Sequence, residues 1–292
     1  MTTIELNDGT SVPWIAFGTG TALYGKDAAG TVKQAIDGGF THLDGAQIYN
    51  NEESLGQGIK DSGKPREELF VTTKLGKLKD GESVKQSLQD SLKKLGLDYV
   101  DLFLVHTPQH HTGEGRLQEV WKEVEGVKND GLAKSIGVSN FKVKHLREIL
   151  LTHTIKPSIN QIEFHPYVWK AAQGLYEFSE QENIKLSSYA GLSPLTRAPN
   201  GPLKGILPGI RERLEKDYGK PVTEGQVLLK WLNQKGVVIV TTTSKKERIQ
   251  EYLDAAKVPD LTAEEISAID ENGEHQRFFE PFWGEEEILV RN

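Results

Sequence analysis

Four ionisable residues, Asp44, Tyr49, Lys74 and His106, sit where their types and settings suggest chemistry. The stretch FTHLDGAQIYNNE, Phe40 to Glu52, opens as an apolar strand and then closes on a carboxylate, with a tyrosine five positions later. Lys74 closes the run LFVTTK, and His106 closes YVDLFLVH. An acid, a phenol, an ammonium and an imidazole in one low-dielectric mouth suit proton transfer to a carbonyl oxygen. A free tyrosine has a pKa of about 10, too high for an efficient donor near neutral pH. An ammonium ~4 Å away interacts with a phenolate by about 4 kcal/mol at an effective dielectric near 20. The expectation is therefore a phenol lowered by roughly three pKa units before solvent is considered. Lys74 would supply the charge, Asp44 would hold Lys74 protonated and aimed, and a neutral His106 would orient the substrate oxygen.

Bringing four such residues together requires a scaffold that ends several strands at one rim. Short apolar runs rich in β-branched and aromatic residues recur through the chain, as strands buried on both faces do. They are Ile15 to Gly18, Phe40 to Asp44, Leu69 to Lys74, Tyr99 to His106, Ala133 to Ser139, Ser158 to Glu163, Lys185 to Tyr189 and Val237 to Thr241. Between them lie amphipathic segments. Glu82 to Leu95 carries Val84, Leu88, Leu92 and Leu95 at helical spacing, Leu117 to Asp130 behaves alike, and Thr262 to Gly273 opens with the capping-box pair Thr262 and Glu265. Eight alternations of strand and helix predict an α/β chain folded as a (β/α)8 TIM barrel, with catalytic groups at the C-terminal ends of the strands. The main rival is a doubly wound open sheet. It would need Gly-x-Gly-x-x-Gly after the first strand, but Gly18-Thr19-Gly20 is followed by Leu23 where the third glycine belongs.

The bulk composition is compatible with one such domain over 1–292. At 292 residues, 37% hydrophobic and 26% charged, the chain can bury a large core. A net charge of −7 speaks against a nucleic-acid partner. With no cysteine there is no disulfide, thiol nucleophile or thiolate metal site, as befits a cytoplasmic protein. No secretory signal is visible in MTTIELNDGT, and runs such as LFLV are far shorter than the roughly 20 residues of a membrane helix.

The motifs carry a resemblance over essentially the full length. Asp44, Ala46 and Tyr49 with Asn51, Glu52 and Gly56, Lys74 in VTTKL, His106 in LVH, Gly137 to Phe141 and Asn160 to Pro166 stand in the order found in the aldo-keto reductase family, which the chain resembles. The resemblance implies an NADPH-dependent reductase in which hydride passes to a carbonyl while Tyr49 protonates its oxygen. It also implies that Ser139, Asn140 and Gln161 bind the nicotinamide carboxamide and that Tyr189 stacks on the ring. Gly18, Thr19, Gly20, Asp44 and Leu192 line the cofactor site in the same reading.

The chain departs from the family at three places. The family's Ile-Pro-Lys-Ser after the eighth strand reads Val240-Thr241-Thr242-Thr243, with Lys245 displaced by about three positions. Thr243, Ser244 and Arg248 would then hold the 2′-phosphate, with Thr242 and Lys245 also at the cofactor site, leaving NADH use open beside NADPH. Tyr-Ser-Pro-Leu becomes Tyr189-Ala190-Gly191-Leu192, one polar contact fewer to the pyrophosphate. Gly20, Gly76 and Thr107 stand where the family commonly has aromatics, which predicts a wider, less apolar pocket. Tyr24, His106, Phe282 and Trp283 are the expected substrate contacts, with the tail 271–292, including Phe278 and Phe279, folding over the mouth as a C-terminal substrate loop. The substrate class expected is a bulky or polar carbonyl, an α-dicarbonyl or keto-lactone, as in the fungal branch of conjugated polyketone and α-keto amide reductases that the pattern resembles.

Plainer readings stand beside these. A lone strand-end Asp is commonly a helix cap, Ser139-Asn140 reads as a cap before Lys142, and FFEPFW has a partner-docking patch as its second reading after the flap. His106, His110 and His111 lack companion acids or thiols, so no metal is expected. An NADPH-sensing subunit and a sugar-phosphate isomerase are the rival functions. The isomerase lacks a glycine-rich phosphate loop, since SPLTRAPNGP is proline-rich. A monomer acting on a small-molecule carbonyl is the expected form.

Overall fold

A computed structural model describes residues 3–273. It opens with a hairpin, β1 (Thr3–Glu5) paired antiparallel to β2 (Ser11–Pro13) through a turn at Gly9. Eight parallel strands then close a barrel: β3 (Ile15–Gly18), β4 (His42–Asp44), β5 (Phe70–Leu75), β6 (Val100–Val105), β7 (Ala133–Ser139), β8 (Ile159–Glu163), β9 (Lys185–Tyr189) and β10 (Val238–Thr241). Each pairs with its sequence neighbour, and β10 closes on β3 with Ile239 opposite Ile15. All eight strands fall on the predicted runs, since strands covered on both faces are rich in apolar residues, with buried polar side chains such as Asn160, Gln161 and Ser188 interspersed. The hairpin was not foreseen. Its Leu6 and Val12 pack with Phe70, Leu102, Leu104, Ile159 and Val238, whose side chains fill the barrel interior, so the hairpin stoppers the N-terminal end.

The outer layer is α1 (Ala29–Asp37), α2 (Glu52–Ser62), α3 (Val84–Leu95), α4 (Arg116–Asn129), α5 (Val143–Leu150), α6 (Trp169–Gln181), the short α7 (Ser193–Thr196), α8 (Leu207–Tyr218), α9 (Glu224–Gln234), α10 (Lys246–Asp254) and α11 (Ala263–Glu271). The predicted helices correspond to α3, α4 and α11 within a residue or two at most ends. The Thr262–Glu265 capping box forms as read, and Ser83 with Gln86 makes a second one on α3. Helix α5 begins at Val143, after Lys142, so Ser139-Asn140 does not cap it. Strand-facing helix residues such as Val84, Leu88, Leu92, Val120, Trp121 and Val124 join the main core with Phe17, Phe103 and Phe141. Close helix contact fixes two glycines. A Cβ at Gly56 would lie 2.2 Å from the carbonyl oxygen of Leu95, and one at Gly58 would lie 2.6 Å from that of Ala29. The expected flap, 271–292, lies beyond the described residues from position 274 onward.

Candidate active site

The strand ends deliver their polar residues to one rim. Asp44 is the last residue of β4, Lys74 the next to last of β5, and His106 follows β6 directly. Tyr49 ends a single 3-10 turn, Gln47–Tyr49, in the loop after β4. The Lys74 side chain is fully buried and ion-paired to Asp44 Oδ1 at 2.5 Å; its ammonium also donates to the carbonyl of Gly45 at 2.8 Å and to the Tyr49 hydroxyl at 3.4 Å. The rings of Tyr49 and His106 meet edge to face with centroids 5.6 Å apart. The four candidates converge.

Their charge states follow from these contacts. Burial alone works against a charged ammonium, but the Asp44 carboxylate and the Tyr49 oxygen outweigh it, and Lys74 is held above its ordinary pKa. Burial, then the Lys74 charge and His110, depress His106 to about 3, so its imidazole is neutral. The phenol differs from expectation. Burial of Tyr49 raises its pKa above 10, and Asp44 pushes the same way; the pull of Lys74 downward does not overcome them. The expectation from sequence counted only the ammonium, at an effective dielectric of about 20. Here the phenol, half-buried at the cavity wall, loses hydration, and the carboxylate that holds the lysine cancels part of its field.

A cavity of about 930 Å3 runs from this cluster across the rim. Its wall includes Gly18, Gly20, Tyr24, Asp44, Tyr49, His106, Ser139, Asn140, Gln161, Tyr189, Leu192, Thr242, Thr243, Ser244, Lys245 and Arg248. Thr19 and Lys74 are fully buried and absent from that wall; Thr19 steadies it by donating N–H and hydroxyl to the carbonyl of Asp44. At the floor, Gln161 donates to Asp44 Oδ2 at 2.8 Å, Ser139 donates to the carbonyl of Gln161, and Tyr189 donates to Asn140 Oδ1 at 2.8 Å. Asn140 takes φ +60°, a left-handed conformation that asparagine tolerates, and its amide reaches the carbonyl of His106. At the far end stand the hydroxyls of Thr242, Thr243 and Ser244 with the cations Lys245, Arg248 and Arg197. Amides at one end with hydroxyls and cations at the other are a donor set suited to a long, anionic, carboxamide-bearing ligand.

Several residues of this wall were not picked out from sequence: Ile48, Thr31, Thr196, Arg197 and Tyr252. Ile48 could have been found, since it lies between the acid and the tyrosine of the same motif. Tyr252 follows Arg248 by one helical turn and accepts from it at 3.5 Å. Ser193, Thr196 and Arg197 belong to the segment judged too proline-rich to hold phosphate, yet they face the cavity. Of the three positions expected to widen the pocket, only Gly20 lines it. Gly76 is shut behind Ile48 and Gln47, and the Thr107 side chain turns back onto Gln109. At Gly20 the ring of Tyr49 fills part of the space, 2.9 Å from where a Cβ would sit. Phe282 and Trp283 lie outside the described residues. Among the described residues no group of three or more His, Asp or Glu is placed to hold a metal, and no helix is long and apolar enough to cross a membrane.

Comparisons with known proteins agree with this geometry. The profile of the Aldo/keto reductase family matches residues 14–274. An NAD/NADP-dependent indole-3-acetaldehyde reductase of Schizosaccharomyces pombe is 42% identical over 253 residues, covering 84% of this chain and 86% of the relative. An NADPH-dependent alpha-keto amide reductase of Saccharomyces cerevisiae is 36% identical over 287 residues, covering 93% and 91%. The solved aldo-keto reductase of Bombyx mori in complex with NADP superposes with a TM-score of 0.81 at 32% identity, covering 94% of each chain. With the closed barrel, the converging strand-end residues and a match spanning nearly the whole chain, this protein belongs to the aldo/keto reductase family.

Proposed function

We propose that the chain is an NADPH-dependent carbonyl reductase in which Tyr49 is the general acid. The observation that carries the reading is the run from buried Asp44 and Lys74 to half-buried Tyr49, opening beside neutral His106 into a cavity floored by Ser139, Asn140 and Gln161. When bound, the dihydronicotinamide supplies hydride to the carbonyl carbon. Ser139, Asn140 and Gln161 would hold its carboxamide, and Tyr189 would face the ring. Thr243, Ser244, Lys245 and Arg248 would take the 2′-phosphate, with NADPH preferred and NADH tolerated. As the carbonyl oxygen gains charge, the Tyr49 O–H transfers its proton to it, and the ammonium of Lys74 stabilises the phenolate left behind. His106, kept neutral, donates a hydrogen bond that aims the oxygen.

The substrate class we favour is an α-dicarbonyl or keto-lactone. The polar His106 and Tyr24 on the cavity wall support it, as does the keto amide in the yeast relative's name. The protein is proposed to act as a cytoplasmic monomer. The deciding experiment follows NADPH absorbance over a panel of carbonyls with wild type and Tyr49→Phe. Turnover of dicarbonyls well above plain aldehydes, lost in Tyr49→Phe, is the expected result. Cofactor binding with no turnover on any carbonyl would instead favour a redox-reporting subunit.

A further inference from the structure

We propose that Gln47 is the positioning residue that sets the distance between the proton donor and its ammonium, by stapling the turn that carries Tyr49 to the strand that carries Lys74. The inference rests on the reading of those two as the proton-delivery pair. Gln47 stands two positions before Tyr49 in the same 3-10 turn, and its side-chain oxygen accepts from the backbone N–H of Gly76, two positions after Lys74, at 2.7 Å. The amide nitrogen of the same side chain donates to Ser87 Oγ at 2.9 Å and Ser91 Oγ at 3.0 Å, both on α3. One amide thus spans the turn, the strand exit and the helix behind them.

Two further bonds extend the staple. Thr73, next to Lys74, donates to Glu52 Oε1 at 2.7 Å, and Ser91 donates to Glu52 Oε2 at 3.2 Å. The strand that carries Lys74 and the turn that carries Tyr49 are therefore both tied to α3 through Ser91. Gly76 completes the arrangement. A Cβ there would press within 3.3 Å of the Gln47 oxygen and 3.2 Å of Ile48, so the missing side chain gives the amide room to reach the backbone. A 3-10 turn of one residue triplet has little rigidity of its own. The Gly25 N–H donates to the Tyr49 carbonyl at 2.8 Å and ties the turn to the loop after β3; the Gln47 staple ties it to the end of β5, the side on which the ammonium lies 3.4 Å from the phenol.

The test compares Gln47→Met, which fills the volume without hydrogen bonds, and Gln47→Glu, which keeps the acceptor for Gly76. Kinetics are measured with NADPH and a dicarbonyl across pH, with cofactor affinity read by fluorescence. We expect Gln47→Met to bind NADPH within about twofold of wild type. Its kcat should fall about tenfold, and the alkaline limb of kcat should move to higher pH as the phenol escapes the ammonium. Gln47→Glu should restore kcat to within about threefold. A kcat for Gln47→Met within twofold of wild type, or a fall with the alkaline limb unmoved, overturns the proposal, the latter because packing alone would produce it. Tyr49→Phe in the same assay separates the two ideas. If it turns over like wild type, the reading of the pair fails; if it is inactive while Gln47→Met is normal, only the role of Gln47 fails.

Discussion

The ammonium of Lys74 lies 3.4 Å from the hydroxyl of Tyr49, while the carboxylate of Asp44 holds that ammonium from the other side. Lys74→Met removes the charge and leaves Asp44 buried without its partner. Breaking a buried pair from one side costs about 3–5 kcal/mol, so the variant should melt well below wild type. Its kcat should fall by about two orders of magnitude or more, since proton delivery is worth roughly that much. Calorimetry and turnover with saturating NADPH check both. A melting temperature within a degree of wild type would contradict the burial argument.

Gly20→Ala tests how tightly the donor is seated. The added Cβ would fall 2.9 Å from the Tyr49 ring, closer than such contacts occur, so the phenol must move. We expect kcat to drop by about tenfold, since small misplacements of a reacting group are costly, with little change in melting temperature. Unchanged kcat would mean the ring has space to yield.

Thr242→Lys returns a cation to the place where the family's lysine stands. A charge-assisted bond contributes about 1.5–3 kcal/mol, so KM for NADPH should fall by about tenfold while KM for NADH stays within twofold. Equal effects on both cofactors would show that residue 242 does not face the 2′-phosphate.

His42 makes folding sensitive to acid. Burial depresses it to about 4 from an ordinary 6.5, while Asp44 and the Pro13 carbonyl oppose the shift; its ring also meets Thr72 Oγ1 at 3.0 Å. The unfolded chain therefore takes up this proton first. Stability held above pH 6.5 is lost as pH falls toward 4, by about 3 kcal/mol from this residue. Denaturant titrations between those pH values should show the loss, and His42→Asn should flatten the slope by about one proton's worth. An identical slope in the variant would assign the acid sensitivity elsewhere.

Gly56→Ala should destabilise by about 3 kcal/mol or more, because the methyl meets backbone rather than a yielding side chain. A shift in denaturation midpoint with unchanged slope is the expected signature. A neutral result would show that α2 can slide against the end of α3.

Much of this was legible before the fold was seen. Runs such as VDLFLV, apolar but for Asp101 and alternating with amphipathic helices, read as interior parallel strands, so the order of strand ends, and with it the meeting of Asp44, Lys74 and His106, follows from the chain. The three-residue strands of the hairpin were too short to register, and Leu6 and Val12 reveal their purpose only beside the barrel interior. Gly76 and Thr107 were misread because a missing ring was equated with open space, whereas Gln47, Ile48 and Gln109 occupy those places. The phenol of Tyr49 was misjudged for a related reason. Charge neighbours can be guessed from motifs, but the depth of enclosure depends on how the surrounding chain packs.

Asp44 spends one carboxylate oxygen on Lys74 and the other on Gln161. In the proposed reading, a single group thus aligns both the proton-delivery pair and the residues assigned to the nicotinamide amide. Substitutions at residue 44 will consequently perturb nucleotide affinity and chemical rate in one stroke, and their effects will not sum with those of changes at 74 or 161. The two halves of the reaction share an anchor, and mutation of that anchor cannot dissect them.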